Sequence, residues 1–163
     1  DFEAIIIKKT CRGTREISSS FVREKLEEGN LSLVGDLIGE PFFVMGKVET
    51  GNQIGRTIGM PTVNIYPDQT KVLPPNGVYF STIEIGSKLY YGVTNVGCKP
   101  TIEGTRKVNV ETHIYDFNQD IYGESIKVNL LHFVRLEQKF ENLDALKQAI
   151  AVNLEQGRTY FGI

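Results

Sequence analysis

Thr62 and Asn64 stand two residues apart, directly after a glycine-rich run from Gly51 to Pro61. Three glycines in nine residues, Gly51, Gly55 and Gly59, give a backbone that can reach positive φ and turn N–H groups inward, as an anion-holding loop needs. Arg56 adds a permanent cation to that loop. Pro61 pushes Met60 out of the α region, so the chain should leave the loop as a strand. A Gly-Lys-Ser/Thr phosphate loop would instead open a helix. On a strand, residues i and i+2 share a face, so the Thr62 hydroxyl and the Asn64 carboxamide project together. Two neutral oxygens beside an anion loop suit Mg²⁺ carried in on phosphates. Taken singly, glycine clusters are more often turns, and Thr-x-Asn more often decorates a strand surface.

Glu111 offers a carboxylate. It lies within Val108–Asp116, where Val108, Val110, Thr112 and Ile114 alternate with Asn109, Glu111, His113 and Tyr115. A glutamate fixed in mid-strand can point into a barrel mouth and serve as a general base, although most such residues are simply solvated. His113 shares its face and is expected to be its hydrogen-bond partner, with no chemistry of its own. His132 falls on the apolar side of a later strand and is expected in the core.

The elements that must position these groups are mostly strands. Phe42–Glu49 leads into the glycine loop and Pro61–Ile65 leaves it. Gly77–Ile85 and Lys88–Val96 flank the turn Gly86-Ser87, a glycine-plus-small-polar hairpin pair. Val108–Asp116 and Ser125–Leu136 complete six strands, which suggests a mainly β fold, a six-stranded antiparallel Greek-key-like barrel. Before them, a serine among Ser18–Ser20 can cap a helix through Glu28, and Asn30 can cap a second from Leu31 to Leu37, stopped by Gly39. Phe2–Lys8 reads as a short buried strand. At the far end Asn142 can cap a helix whose Leu143, Leu146, Ile150 and Leu154 form one stripe, expected to pack on the barrel.

With 163 residues and 40% hydrophobic content, the chain fits one globular domain plus a small appendage. A net charge of −2 without a basic stripe speaks against nucleic acid, and hence against an OB-like nucleic-acid binder. Cys11 and Cys98 are too far apart for a zinc or disulfide framework, so a reducing, cytoplasmic setting is expected. The longest early apolar run, Ala4–Ile7, is too short to be a signal or a membrane span.

Gly51-x(3)-Gly55-Arg56-x(2)-Gly59-x-Pro61-Thr62-x-Asn64 resembles the signature of the riboflavin kinases, including the kinase half of bacterial bifunctional FAD synthetases. The resemblance continues in order through Asn76–Tyr79, Asn95–Gly97, Pro100-Thr101, Val110–Ile114, Asp116-Phe117, Tyr122-Gly123, Val134-Arg135 and Lys139-Phe140. It implies ATP-dependent phosphorylation of riboflavin to FMN, with Glu111 as the catalytic carboxylate. It further implies Thr62 and Asn64 as ligands of Mg²⁺, and Gly51, Gly55, Arg56 and Gly59 around the nucleotide phosphates. Arg135 would contact flavin, and the loop Asp116–Gly123 would close on it. Met60 departs from the family's usual Phe or Ile, and the loop carries fewer glycines than many members, which bears on affinity more than on activity. A non-catalytic flavin-binding barrel is the alternative, but it would need no paired metal ligands beside a phosphate loop.

Ile17-Ser18-Ser19-Ser20 with Arg23 resembles the closing motif of the adenylyltransferase half of those synthetases, with Ser20 where Thr is usual. The early His-x-Gly-His-type motif of that half is absent from the sequence. Residues 1–39 are therefore expected to be a remnant and linker without FMN adenylyltransferase activity, joined in a longer chain to the rest of that domain. Residues 40–163 are expected to be the kinase.

Overall fold

Local capping sets the first elements of the computed structural model, which describes residues 8–51, 55, 59–100 and 106–163. The strand expected from Phe2 and the loop cation Arg56 lie outside the described residues. A two-stranded hairpin, β1 (Cys11–Arg12) and β2 (Arg15–Glu16), comes first; it is too short to show an alternating pattern in the sequence. The Ser18 side chain accepts from the Phe21 N–H and starts α1 (Ser19–Glu27); Asn30 accepts from the Leu33 N–H and starts α2 (Leu31–Ile38). Gly39, at φ 85°, ends α2 as a left-handed cap. Arg12 to Asp36 at 2.7 Å and Arg15 to Glu24 tie the hairpin to both helices.

Six strands then close an antiparallel barrel: β3 (Phe43–Glu49), β4 (Val63–Ile65), β5 (Gly77–Ile85), β6 (Lys88–Pro100), β7 (Arg106–Ile114) and β8 (Ser125–Leu136), in the order β3-β4-β7-β6-β5-β8. The β4–β7 neighbourhood and the return of β8 to both β3 and β5 make the connections cross as in a Greek key. Alternation decides which residues fill the interior. Val44, Val48, Ile65, Tyr79, Ile83, Val96, Val110 and Val128 point inward and are almost fully buried. A polar line crosses that interior: Ser81 Oγ lies 2.7 Å from Thr94 Oγ1, which lies 2.8 Å from Thr112 Oγ1. Each hydroxyl can donate to one neighbour and accept from another, so the line is satisfied without water.

Outside the wall, α3 (Leu143–Phe161) covers a second apolar layer of Val78, Phe80, Val93 and Tyr115. The helix docks through its second half. Tyr115 Oη donates to the Leu154 carbonyl at 2.6 Å, and Phe161 stacks on Tyr91 at 4.5 Å. Its first half stands off the wall: Leu143 is 53% exposed, so the expected stripe packs only from Leu154 onward. Leu146 and Ile150 instead face the cavity described below.

His132 is exposed, not in the core. Register shifts between β5 and β8 at Val78/Tyr79 and Phe80/Ser81 insert extra residues into β8 and reverse its alternation. Leu130 still points inward opposite Ser81, but His132 turns outward opposite Phe80 and packs against both Phe80 and Tyr160, which also touch each other.

Candidate active site

β4 begins at Val63, two residues after the expected Pro61, because proline has no N–H to give to the ladder. The preceding segment is held in other ways. Met60 N–H donates to the Gly55 carbonyl at 2.7 Å. A Cβ on Gly55 would collide with the Met60 carbonyl oxygen and press on the Thr62 side chain, so only glycine lets this turn close. Gly51 is close in the same way to the Asn64 carboxamide, and Gly59 sits at φ 77°.

Strand register then places one row of polar residues across the outer wall: Glu49 opposite Asn64, Asn64 opposite Glu111, and Glu111 opposite Asn95. Thr62 Oγ1 donates to Glu111 Oε1 at 2.6 Å. Asn64 is 3% exposed, and its Oδ1 is buried without a hydrogen-bond partner. Such an oxygen costs free energy unless a ligand takes it up. Among the described residues no group of three or more His, Cys, Asp or Glu could hold a metal by itself. The orphaned Asn64 oxygen and the Thr62 hydroxyl fit a cation that brings its other ligands with it.

Two cavities flank this row. The first, about 240 Å³, lies between the start of β4 and the loop after β7, and Gly51, Thr62, Asn64, Phe117, Asp120 and Tyr122 line it. The second, about 260 Å³, lies between the outer wall and the first half of α3. Val78, Val93, Leu146, Ile150 and Phe140 give it apolar walls; Glu111, His113 and Arg135 give it polar ones. Glu111 thus faces a cleft on the outside of the barrel instead of a barrel mouth. Thr62 lines both cavities.

Arg135 sits on β8 opposite Val78. Its Nε and Nη2 donate to Asn153 Oδ1 at 3.1 and 2.9 Å, its Nη1 to the Leu136 carbonyl at 3.1 Å. Burial lowers its pKa, although a guanidinium stays charged. Asn153, 6% exposed in an otherwise apolar helix stripe, is not among the residues that the sequence motifs single out; a lone amide at stripe spacing between Ile150 and Leu154 is the available signal. His113 Nδ1 donates to the Pro61 carbonyl at 3.0 Å, so its partner is the loop backbone and not the expected Glu111. Burial pushes its pKa below the ordinary histidine value. The loop expected to close on flavin begins at Asp116, φ 52°, which Arg158 of α3 holds at 3.2 Å. It borders the cavity that holds Asn64, not the one that holds Arg135.

The flavokinase family model, described as riboflavin kinase, matches residues 38–161. The bifunctional riboflavin kinase/FMN adenylyltransferase of Escherichia coli K12 is 40% identical over 163 residues, 99% of this chain and 51% of its own. That of Bacillus subtilis 168 is 35% identical over 158 residues, 96% of this chain and 50% of its own. The chain therefore spans about half the length of the curated relatives it matches. A solved structure described as a macrolide-efflux protein from Streptococcus pneumoniae superposes with TM-score 0.85 at 36% identity, covering 94% of this chain and 50% of that one. Among the described residues no helix is long and apolar enough to cross a membrane. The riboflavin kinase of Trypanosoma brucei superposes with TM-score 0.52 at 26% identity, covering 75% of this chain and 80% of that one. With the riboflavin kinase model matching residues 38–161, most of its length, the chain belongs to the riboflavin kinase family.

Proposed function

We propose that residues 40–163 transfer the γ-phosphate of ATP to the 5′-hydroxyl of riboflavin, giving FMN and ADP. The observation that carries this reading is Thr62, which lines both cavities and donates to Glu111 in the wall of the second. The second cavity suits a flat, largely apolar ring with polar edges: aliphatic walls for the faces and the Arg135 guanidinium for a carbonyl. The first suits phosphates: Gly51 lines it, and the sequence that follows Gly51 carries the further glycines and the cation Arg56 that would serve a nucleotide, although Gly55 itself lines the second cavity. In this arrangement the acceptor hydroxyl meets the terminal phosphate near the Thr62–Glu111 pair.

Glu111 takes the proton of the attacking hydroxyl as the new P–O bond forms, and the β–γ bridging oxygen leaves with ADP. Thr62 and Asn64 would hold the divalent ion, Mg²⁺ in our reading. The bound ion offsets charge on the phosphates. Thr62 also keeps the Glu111 carboxylate turned toward the acceptor.

Residues 1–39 we assign to the end of an adenylyltransferase domain and its linker, the remainder belonging to a longer chain. The test is direct. Incubate residues 1–163 with riboflavin, ATP and Mg²⁺ and separate the products: FMN should form and FAD should not rise above background. Flavin binding without ATP turnover would favour a non-catalytic barrel.

A further inference from the structure

We propose that His113 is a positioning residue for the transfer site: its Nδ1–H holds the Pro61 carbonyl and so sets the reach of the Thr62 hydroxyl to Glu111. The paired ladder between β4 and β7 starts only at Val63 opposite Thr112. Pro61 has no N–H to extend it. Beyond that point two side chains on the outer face of β7 take over, at i and i+2. His113 binds the carbonyl of Pro61, and Glu111 receives the hydroxyl of the next residue, Thr62. Two consecutive residues of the loop exit are thus pinned to two alternate residues of one strand.

The chemistry of the bond fixes the ring. A carbonyl oxygen can only accept, so Nδ1 carries the proton, and in the neutral ring Nε2 is then the bare nitrogen. The ring itself is braced edge-on against Tyr115, with centroids 5.7 Å apart and planes at 84°. Tyr115 in turn is anchored to α3 through the Leu154 carbonyl. The imidazole is therefore a rigid strut running from the helix-braced wall to the loop exit. Losing its donor would leave the Pro61 carbonyl without this partner and free Thr62 to drift. A misplacement of about 1 Å can cost on the order of 10²-fold in rate.

The kinetic side of this inference rests on the kinase reading; the hydrogen bond does not. Asparagine places its amide N–H near the position of Nδ1, whereas phenylalanine keeps the ring and loses the donor. We expect His113→Asn to retain at least about a third of the parent kcat and His113→Phe to lose roughly 10- to 10²-fold, both read at saturating riboflavin because His113 also lines the second cavity. A packing role would rank them the other way, and Phe equal to or better than Asn overturns the proposal. Long-range ¹H–¹⁵N spectra of the parent supply the second arm. The chain has two histidines, so His132→Gln assigns the other signal to His113. The Nδ1–H tautomer is expected; the Nε2–H tautomer overturns the proposal even if both variants fail to fold. A parent that makes no FMN refutes the kinase reading, and the tautomer then still decides whether His113 holds Pro61.

Discussion

Thr62 Oγ1 donates to Glu111 Oε1 across 2.6 Å, and Glu111 stands directly opposite Asn64 in the strand register. The two proposed metal ligands and the proposed base therefore form one connected group. A hydroxyl has one proton and two lone pairs, so Thr62 can donate to the carboxylate and still offer an oxygen to a cation.

Coupling of this kind should appear as non-additivity. Glu111→Gln keeps the shape and removes the proton acceptor, so kcat should fall by roughly 10²–10⁴ with flavin affinity little changed. Thr62→Val removes a hydrogen bond to a charged group, worth about 1.5–3 kcal/mol, and should fall by about 10- to 10²-fold. The double variant should be clearly better than the product of the two losses. Thr62 acts by orienting a carboxylate that takes the proton, and once Glu111→Gln has removed that proton acceptor the orientation has little left to serve, although the amide oxygen can still accept from Thr62. Losses that multiply would mean that the contact does not operate in the reacting complex.

Asn64 bears on the order of binding. Thr62 and Asn64 bring no charge, and Mg²⁺ gives up water reluctantly, so most negative charge at the ion must come from the nucleotide. Titration calorimetry should find negligible Mg²⁺ affinity without ADP and strong mutual enhancement with it. By reciprocity each ligand tightens the other by the same factor. Asn64→Ala should shrink that factor. Tight Mg²⁺ binding in the absence of nucleotide, indifferent to Asn64→Ala, would place the ion elsewhere.

Much of this architecture is legible in the sequence because it is locally encoded. The caps at Ser18, Asn30 and Asn142 need only residues three positions away, and the alternation of β7 survives because both its faces are occupied, one by the core and one by α3. The outward turn of His132 is not legible in this way, because the bulges in β8 arise from its pairing with β5, a partner some fifty residues away in sequence. The alternation of β7 shows which face carries Glu111, but what that face meets depends on where α3 docks. The stripe of α3 could not reveal that Leu146 and Ile150 roof a cavity while Leu154 packs. The signature residues announce the site; the shape of the cleft between wall and helix is a tertiary outcome.

His113 should also leave a mark on stability. Its pKa is lowered in the folded protein, chiefly by burial, against an unfolded value of about 6.5. As pH falls through about 6.5, the unfolded chain takes up a proton that the folded protein resists, so stability is lost from there down to the folded pKa. The lowered carboxylates, Asp68, Glu84 and Glu24 (held near 2 by Arg15), act only at lower pH. Thermal melts of the parent between pH 7.5 and about 5 should show Tm declining in this window, and His113→Asn should flatten the decline. An equal slope in the variant would show that His113 is not the group responsible.

Arg135 and Asn153 make the last case, because the partner of the guanidinium is an amide. Two N–H groups converge on Asn153 Oδ1, which orients the fork without neutralising it. Its charge remains available to an electron-rich edge of the ligand in the second cavity. Asn153→Asp would satisfy the guanidinium with a carboxylate and set a negative charge beside the flavin, so riboflavin should bind more weakly, by roughly three- to tenfold, about the worth of one ordinary hydrogen bond. Arg135→Lys keeps the charge and loses the planar fork, and should weaken binding to a similar degree. For both variants kcat should hold within about threefold, since neither side chain contacts Glu111 or Thr62 by hydrogen bond. Quenching of flavin fluorescence on titration gives the affinities without turnover. Unchanged or tighter binding by Asn153→Asp would mean that the Arg135 charge does not act on the flavin, and that the ring lies elsewhere in the cleft.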